Sequence, residues 1–369
     1  MNDKLISNQY KQKAYNLANF DLKGSQSISW ESPSNIALIK YWGKYGDQLP
    51  QNPSLSFNLK NSKTITNIIY QKKGVDESSI QYFFEDERNK PFEKRIKNYF
   101  EKIAVYLPFL KKLDFTIYSK NTFPHSAGIA SSASSFSALA HGLCSIEQEL
   151  FHTLSGHDKF YRKASFLARL GSGSASRSVP GKAVLWGINE GITESSDEYA
   201  VPIDEQVHHL FKTYRDAVLI VDSGQKTSSS SIGHTLMENH PFAKARYLQA
   251  NVNLEKLLLA LKSGGVKLFM EIVENEALTL HALMLSSNPS LSLIKPNTLA
   301  VIEKLMEFRQ KQRLNFAFTL DAGPNVHVLY PEKIKAKMID FIENELLQFC
   351  ENGKWIDDEI SNGPKQILS

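Results

Sequence analysis

The sequence reads as an α+β protein, and three observations carry that reading. Strand-like and helix-like stretches mix along its 369 residues without the regular strand–helix–strand alternation of a parallel sheet. No segment recurs at a period of about 20–50 residues, which sets solenoids aside. Apolar residues make up 42% of the chain and aromatics 11%. That is enough to bury the core of one large or two medium domains and argues against a disordered chain.

The elements follow in order. The first twenty residues are polar and read as peripheral. From Ser27 to Ser119 the chain is strand-rich: Ile65–Tyr70 is β-branched, Ile80, Tyr82 and Phe84 alternate, and Phe115 and Ile117 recur in the same way. Between them Phe92–Leu107 keeps Ile96, Tyr99, Phe100, Ile103 and Leu107 on one helical stripe. A Gly/Ser/Ala-rich stretch, Ser126–His141, runs into a helix. A second, Gly171–Ser178, separates a helical run (Phe160–Leu170) from an apolar strand, Ala183–Trp186. The acidic, irregular region Asn189–Gln206 reads as a boundary, giving domains 1–204 and 205–369. Beyond it come a strand (Ala217–Val221), helices through Leu248–Leu261 and Val266–Met284, and a third over Leu299–Arg313. Two strands, Phe316–Leu320 and Val326–Tyr330, flank Asp321–Pro324, and a last helix is expected to start from Pro331.

Composition excludes several function classes. Apolar runs such as Ala217–Val221 fall far short of the ~18–20 residues of a membrane span, and the polar start shows no secretory signal. Two cysteines, Cys144 and Cys350, cannot build a disulfide framework, so a cytoplasmic location is expected. Basic residues exceed acidic ones by 43 to 39. That falls short of the basic stripe of a nucleic-acid binder, so no nucleic-acid partner is expected, and a local anion pocket fits equally well.

Four segments have the composition of binding chemistry. Pro124–Ser135 (PHSAGIASSASS) combines small residues and hydroxyls ahead of a helix, which suits phosphate or a plain Ser-rich cap. A Walker A loop is absent, and Gly171-Ser-Gly173 fails the dinucleotide pattern because residue 176 is Ser. Lys40 and Lys44 stand four apart beside Tyr41 and Trp42, fit for an anion or for solvent. Arg177, among hydroxyls and glycines, can grip a carboxylate or phosphate in a fork, or sit in a surface loop. Asp321 reads as a turn-former or a catalytic carboxylate. His125, His208, His209, His234, His281 and His327 show no metal-ligand spacing and read as structural or surface residues.

Taken together, five motifs occur in one order: NIALIKYWGK (Asn35–Lys44), LPQNPSLS (Leu49–Ser56), FPHSAGIASSAS (Phe123–Ser134), RLGSGSASRS (Arg169–Ser178) and FTLDAGPNVHVLY (Phe318–Tyr330). In this combination the chain resembles the diphosphomevalonate decarboxylases of the GHMP kinase superfamily, over about Ser29–Tyr330. The resemblance implies a GHMP fold: an S5-like N-terminal domain, a ferredoxin-like C-terminal domain and a deep cleft between them. It implies conversion of 5-diphosphomevalonate and ATP to isopentenyl diphosphate, CO2, ADP and phosphate with Mg2+, by a homodimer.

The implied roles are these. Asp321, Arg177 and Lys40 are catalytic, with Arg177 on the substrate carboxylate. Tyr41, Lys44, Ser172, Ser174 and Ser230 bind substrate. Gly128, Ala130, Ser131, Ser132 and Ser134 bind ATP, and Ser131 a magnesium ion. A monophosphomevalonate decarboxylase, a mevalonate 3-kinase or a GHMP-fold binding protein would share much of this pattern, but Asp321, Lys40 and Arg177 together favour the decarboxylase. Two departures stand out. Val179–Ala183 (VPGKA) replaces the family's usual aromatic, Gly-Gly, aromatic, which predicts altered packing near the substrate end. Ser231 stands where some members carry Arg, which predicts one diphosphate contact fewer.

Overall fold

The computed structural model describes residues 5–14, 17–74, 79–123, 131–224 and 230–367. Its strands are β1 (Gln26–Ala37), β2 (Lys44–Tyr45), β3 (Leu49–Pro50), β4 (Ser54–Lys72), β5 (Ile80–Phe84), β6 (Glu87–Arg88) and β7 (Leu113–Asn121). They continue with β8 (Ala183–Trp186), β9 (Ala200–Pro202), β10 (Tyr214–Leu219), β11 (Ala317–Leu320), β12 (Val326–Pro331), β13 (Trp355–Glu359) and β14 (Lys365–Ile367). The helices are α1 (Ile6–Ala14), α2 (Lys90–Ile103), α3 (Ser131–Phe151), α4 (His157–Gly171) and α5 (Ser230–Leu236). Then come α6 (Ala243–Ser263), α7 (Val266–Leu285), α8 (Pro296–Gln312) and α9 (Lys335–Phe341).

Among the described residues, the larger sheet runs β14-β1-β4-β7-β5-β6, with β8 on β4 and β9 on β8. Its pairings are antiparallel except β5 with β7. Helices α2, α3 and α4 cover one face around Ile68, Phe115, Phe136 and Leu167. From Ala133 to Glu147 every residue of α3 except Ser135 is buried, because small side chains let it lie close to the sheet; a Cβ on Gly142 would meet Ile68 at 2.5 Å.

The smaller sheet, β11-β12-β10-β13, is antiparallel throughout. Alternation along its strands feeds two cores. Val218 and Leu329 join α6 and α7, while Ala217, Leu219, Val328 and Tyr330 face α8 and α9. The first of these cores also takes in Ile36, Leu38, Leu55 and Phe57 from the larger sheet, so the two halves share buried surface. After β13 the chain returns: Leu59 bridges Ile360, and Ser29, Trp30 and Glu31 pair with β14.

The mixed α+β class is as expected, with three local differences. The polar N-terminus forms α1, whose Ile6, Tyr10 and Ala14 recur every four residues. Tyr10 packs on Phe166 at 5.2 Å, and the Ile6 amide donates to Glu198 at 2.6 Å. Composition hid this stripe because every other position is polar. Pro331 closes β12 instead of opening a helix; a 3₁₀ turn, Glu332–Ile334, intervenes before α9. Residues 189–206 are no loose connector either. Ile192 and Ile203 are core, and Asp204 accepts hydrogen bonds from the amides of Lys182 and Ala183.

Candidate active site

Lys40 leaves the end of β1 and is 1% exposed. Its ammonium donates to the Ala37 carbonyl at 2.7 Å and to Asp321 at 3.0 Å. Asp321 begins the turn between β11 and β12, braced by the Gly323 amide on its carbonyl (2.8 Å) and by Thr298 on Pro324 (2.7 Å). Burial works to raise the Asp321 carboxyl, but Lys40, His327 and Arg177 together hold it below its ordinary value. It is therefore ionised. Lys40 is pulled below the usual lysine value by burial, against the opposing pull of Asp321 and Glu276.

The backbone of Lys40 is clamped from the other half of the chain. Glu276 on α7 accepts its amide at 2.9 Å, and Arg246 on α6 reaches its carbonyl at 3.3 Å. Arg246 and Glu276 are bonded to each other at 2.5 and 2.7 Å, and Asn253 adds a bond to Glu276 at 2.7 Å. Asn52 holds the Lys40 carbonyl from the near side at 3.1 Å. These four residues were not anticipated as functional. A signal existed: Glu276 falls on the apolar stripe Phe269–Val273–Leu280 and Arg246 on the stripe Ala250–Leu254–Leu257, positions where a charge is costly unless paired.

Arg177 ends a 3₁₀ turn (Gly173–Arg177) and is 3% exposed. Its Nε donates to Ser56 Oγ at 2.5 Å, while its Nη1 is buried with no partner. Burial lowers it to about 10, with Asp321 and Tyr41 opposing. Tyr41 packs edge-on against Trp186 at 4.7 Å, and its hydroxyl is likewise buried without a partner. Gly173 is required here: a Cβ would lie 2.8 Å from the Tyr41 ring. Ser172 and Ser174 hydroxyls lie 3.3 Å apart, and Ser132 at the start of α3 stands 3.3 Å from Ser172. Asn35 fixes this turn through Ser174 O (3.2 Å) and Ser178 Oγ (2.8 Å).

Lys44 lies further out, bonded to Gln48 at 3.1 Å. Ser134 turns inward: fully buried, its hydroxyl meets Thr64 at 2.6 Å and the Ser131 carbonyl at 3.1 Å, so it braces α3 against β4. Gly128 and Ala130 lie outside the described residues, as does the side chain of Ser230. Ser131 is half-buried in the first turn of α3. Among the described residues no group of three His, Cys, Asp or Glu could hold a metal ion. A hydroxyl at the start of this helix, with phosphate oxygens supplying the other ligands, fits a hard Mg2+ ion.

The histidines hold more than sequence reasoning gave them. His327 Nδ1 lies 2.7 Å from Asp216, both buried. Burial opposes its charge, but Asp216 and Asp321 outweigh that and raise it. The departure at Val179–Ala183 borders the site at Val179, which shares a buried cluster with Trp186 against which Tyr41 packs. Asn58 binds the Val179 and Gly181 carbonyls at 2.8 Å each, and Lys182 turns to the Lys212 carbonyl at 3.0 Å.

A buried lysine–carboxylate pair, a buried arginine with a free Nη1 and a run of serines at a helix start make up a site suited to anionic groups on an α+β scaffold. The diphosphomevalonate decarboxylase-like N-terminal domain profile matches residues 32–200, and the mevalonate 5-diphosphate decarboxylase C-terminal domain profile matches 217–365. This chain belongs to the diphosphomevalonate decarboxylase family. It is 28% identical to the diphosphomevalonate decarboxylase of Candida albicans, over 86% of this chain and 87% of that one. It is 29% identical to that of Gibberella zeae, over 83% and 81%. Among solved structures, mevalonate diphosphate decarboxylase from Staphylococcus aureus superposes with a TM-score of 0.80 at 29% identity, covering 94% and 99%. MDDEF in complex with MVAPP, AMPPCP and magnesium does so at 0.80 and 26%, covering 94% and 100%. The fold is thus of the GHMP kinase type.

Proposed function

We propose that this protein decarboxylates 5-diphosphomevalonate at the expense of ATP, yielding isopentenyl diphosphate, CO2, ADP and phosphate by way of transient 3-phosphorylation. The observation that carries the reading is the 3.0 Å Lys40–Asp321 pair, with Asp321 within the field of Arg177. A proton acceptor, a cation for a phosphoryl group and a fork for a carboxylate are what the two chemical steps require.

Asp321, ionised, orients the tertiary 3-hydroxyl and accepts its proton as the hydroxyl oxygen bonds to the γ-phosphorus and the bond to ADP breaks. Lys40 neutralises the charge building on the transferring group; held at both backbone atoms, it needs no reorganisation to do so. In the second step the C3–O bond breaks and phosphate leaves with the electron pair. The pair joining the carboxylate carbon to C2 becomes the new double bond, and CO2 departs. Arg177 holds that carboxylate aligned with the leaving group, its Nη1 unpaired and its Nε fixed by Ser56.

Tyr41, Lys44, Ser172, Ser174 and Ser230 take the substrate's carboxylate and diphosphate. Gly128, Ala130, Ser131 and Ser132 receive the ATP phosphates, with Ser134 bracing the helix beneath them. Magnesium, when bound, supplies divalent charge against the nucleotide's phosphates, and the Ser131 hydroxyl would hold it. The division at residues 204 and 205, a homodimer and a cytoplasmic location belong to the same reading. Two free buried thiols, Cys144 and Cys350, support a reducing compartment, and light scattering measures the assembly.

The test incubates the protein with ATP, Mg2+ and mevalonate carrying zero, one or two 5-phosphates, and follows CO2 and ADP. Equal release of both from the diphosphate supports the reading. ADP without CO2, or turnover of the monophosphate alone, overturns it.

A further inference from the structure

His234, on α5, stands against Tyr41 and Trp42, with ring centroids 4.4 and 4.8 Å away. It is 9% exposed, and its Nδ1 is buried with no hydrogen-bond partner. Three neighbouring polar atoms share that state, the Tyr41 hydroxyl, Trp42 Nε1 and Arg177 Nη1. Arg177 and Tyr41 meet on one ring: the guanidinium lies 5.9 Å from the Trp186 centroid that Tyr41 contacts. Buried polar atoms are ordinarily satisfied. Four orphans in one cluster mark a place where a polar ligand completes the bonding.

The cluster is cationic. Lys44 and Arg177 are the charged groups acting on His234, and the Tyr41 phenol ring packs against it. Burial and those two cations push the imidazole down to about 3, so it is neutral while the cluster is empty. An anion arriving there cancels the field of the two cations and, by its own charge, works against burial, the larger cause that keeps the ring uncharged.

We propose that His234 is a substrate contact, meeting the same anionic group as Tyr41, Lys44 and Arg177 and taking up a proton from solvent as that group arrives. The inference rests on the substrate reading above and adds a specificity element to it. A ring that becomes cationic only against an anion adds affinity for the substrate's carboxylate end without adding fixed charge to the cleft.

The experiment uses whichever of 5-phosphomevalonate and 5-diphosphomevalonate the wild-type protein turns over. Its binding is measured by titration calorimetry near pH 7 in two buffers of different ionisation enthalpy, which counts the protons taken up. Wild type is expected to take up a measurable fraction of a proton. His234→Leu is expected to lose that uptake and to weaken the substrate about ten-fold or more, the loss of one charge-assisted contact, with the KM for ATP within about two-fold. His234→Asn, which keeps a donor near the Nδ1 position without the charge, recovers part of the affinity and none of the uptake. Thermal melting of both variants checks their folding. Unchanged affinity and unchanged uptake in His234→Leu overturn the inference and leave the substrate reading standing. Turnover of the monophosphate alone overturns the diphosphate reading and leaves His234 tested on that ligand. Binding of neither ligand by wild type overturns both.

Discussion

Lys40 and Asp321 lie 281 residues apart in the chain and meet at 3.0 Å, one from each half of the molecule. Each half thus supplies one member of the pair, and neither holds a reactive arrangement alone.

Asp321→Asn keeps the shape and removes the proton acceptor. Turnover is expected to fall by about a thousand-fold or more, with substrate and ATP dissociation constants within a few-fold. Steady-state kinetics beside calorimetry checks this, and near-normal turnover would remove Asp321 from the mechanism.

Arg177→Lys retains the charge and loses the planar fork that binds Ser56 through Nε while leaving Nη1 for a ligand. A fall of about a hundred-fold in kcat/KM is expected. Should the lysine variant work normally, the carboxylate assignment is wrong.

Glu276→Leu strands the Arg246 guanidinium, 2% exposed, and frees the Lys40 amide. Breaking a buried pair in this way costs about 3–5 kcal/mol. Urea unfolding is expected to show that loss. A variant as stable as wild type would mean that solvent reaches Arg246 freely.

Acid should weaken the fold through three histidines buried as neutral rings. Burial pushes His141 down to about 4, His281 to about 4 with Lys40 adding to it, and His234 to about 3. In the unfolded chain they titrate near about 6.5. Between that value and 4 the unfolded state binds more protons, so stability is full above pH 6.5 and falls on acidification. The loss is up to about 1.4 kcal/mol per ring per pH unit. The urea midpoint is expected to drop steadily below pH 6.5, less steeply in His141→Gln. A flat midpoint from pH 7 to 5 would show that these rings are charged in the fold.

Chelation of magnesium is expected to stop turnover and leave the melting temperature unchanged, with activity restored on re-addition. A drop in melting temperature on chelation would instead reveal a structural metal.

Periodicity located most helices and strands because apolar stripes survive in the sequence wherever an element has one buried face. It missed α1, whose stripe is three residues long, and it placed a helix at Pro331, where the β12 ladder continues to that residue. Lys40, Arg177 and Asp321 each read singly as an ordinary surface or turn residue, and it was five motifs in one order that picked them out. No motif picked out their supports. Glu276 reaches Lys40 across 236 positions and Asp216 reaches His327 across 111, and no single segment records such a partnership. Ser134 shows the reverse: a hydroxyl in a phosphate-like motif whose side chain points into the sheet, a matter of helix phase that the motif does not encode.

The return of the chain through Ile360 to β14 has a mechanical meaning. The second half is tied to the first both where the chain leaves, near residue 204, and where it re-enters the larger sheet beside β1. Cutting the chain between Ile360 and Lys365 would release that second tie without touching Lys40 or Asp321, and the buried surface that Phe57 and Phe269 share would still hold the halves together.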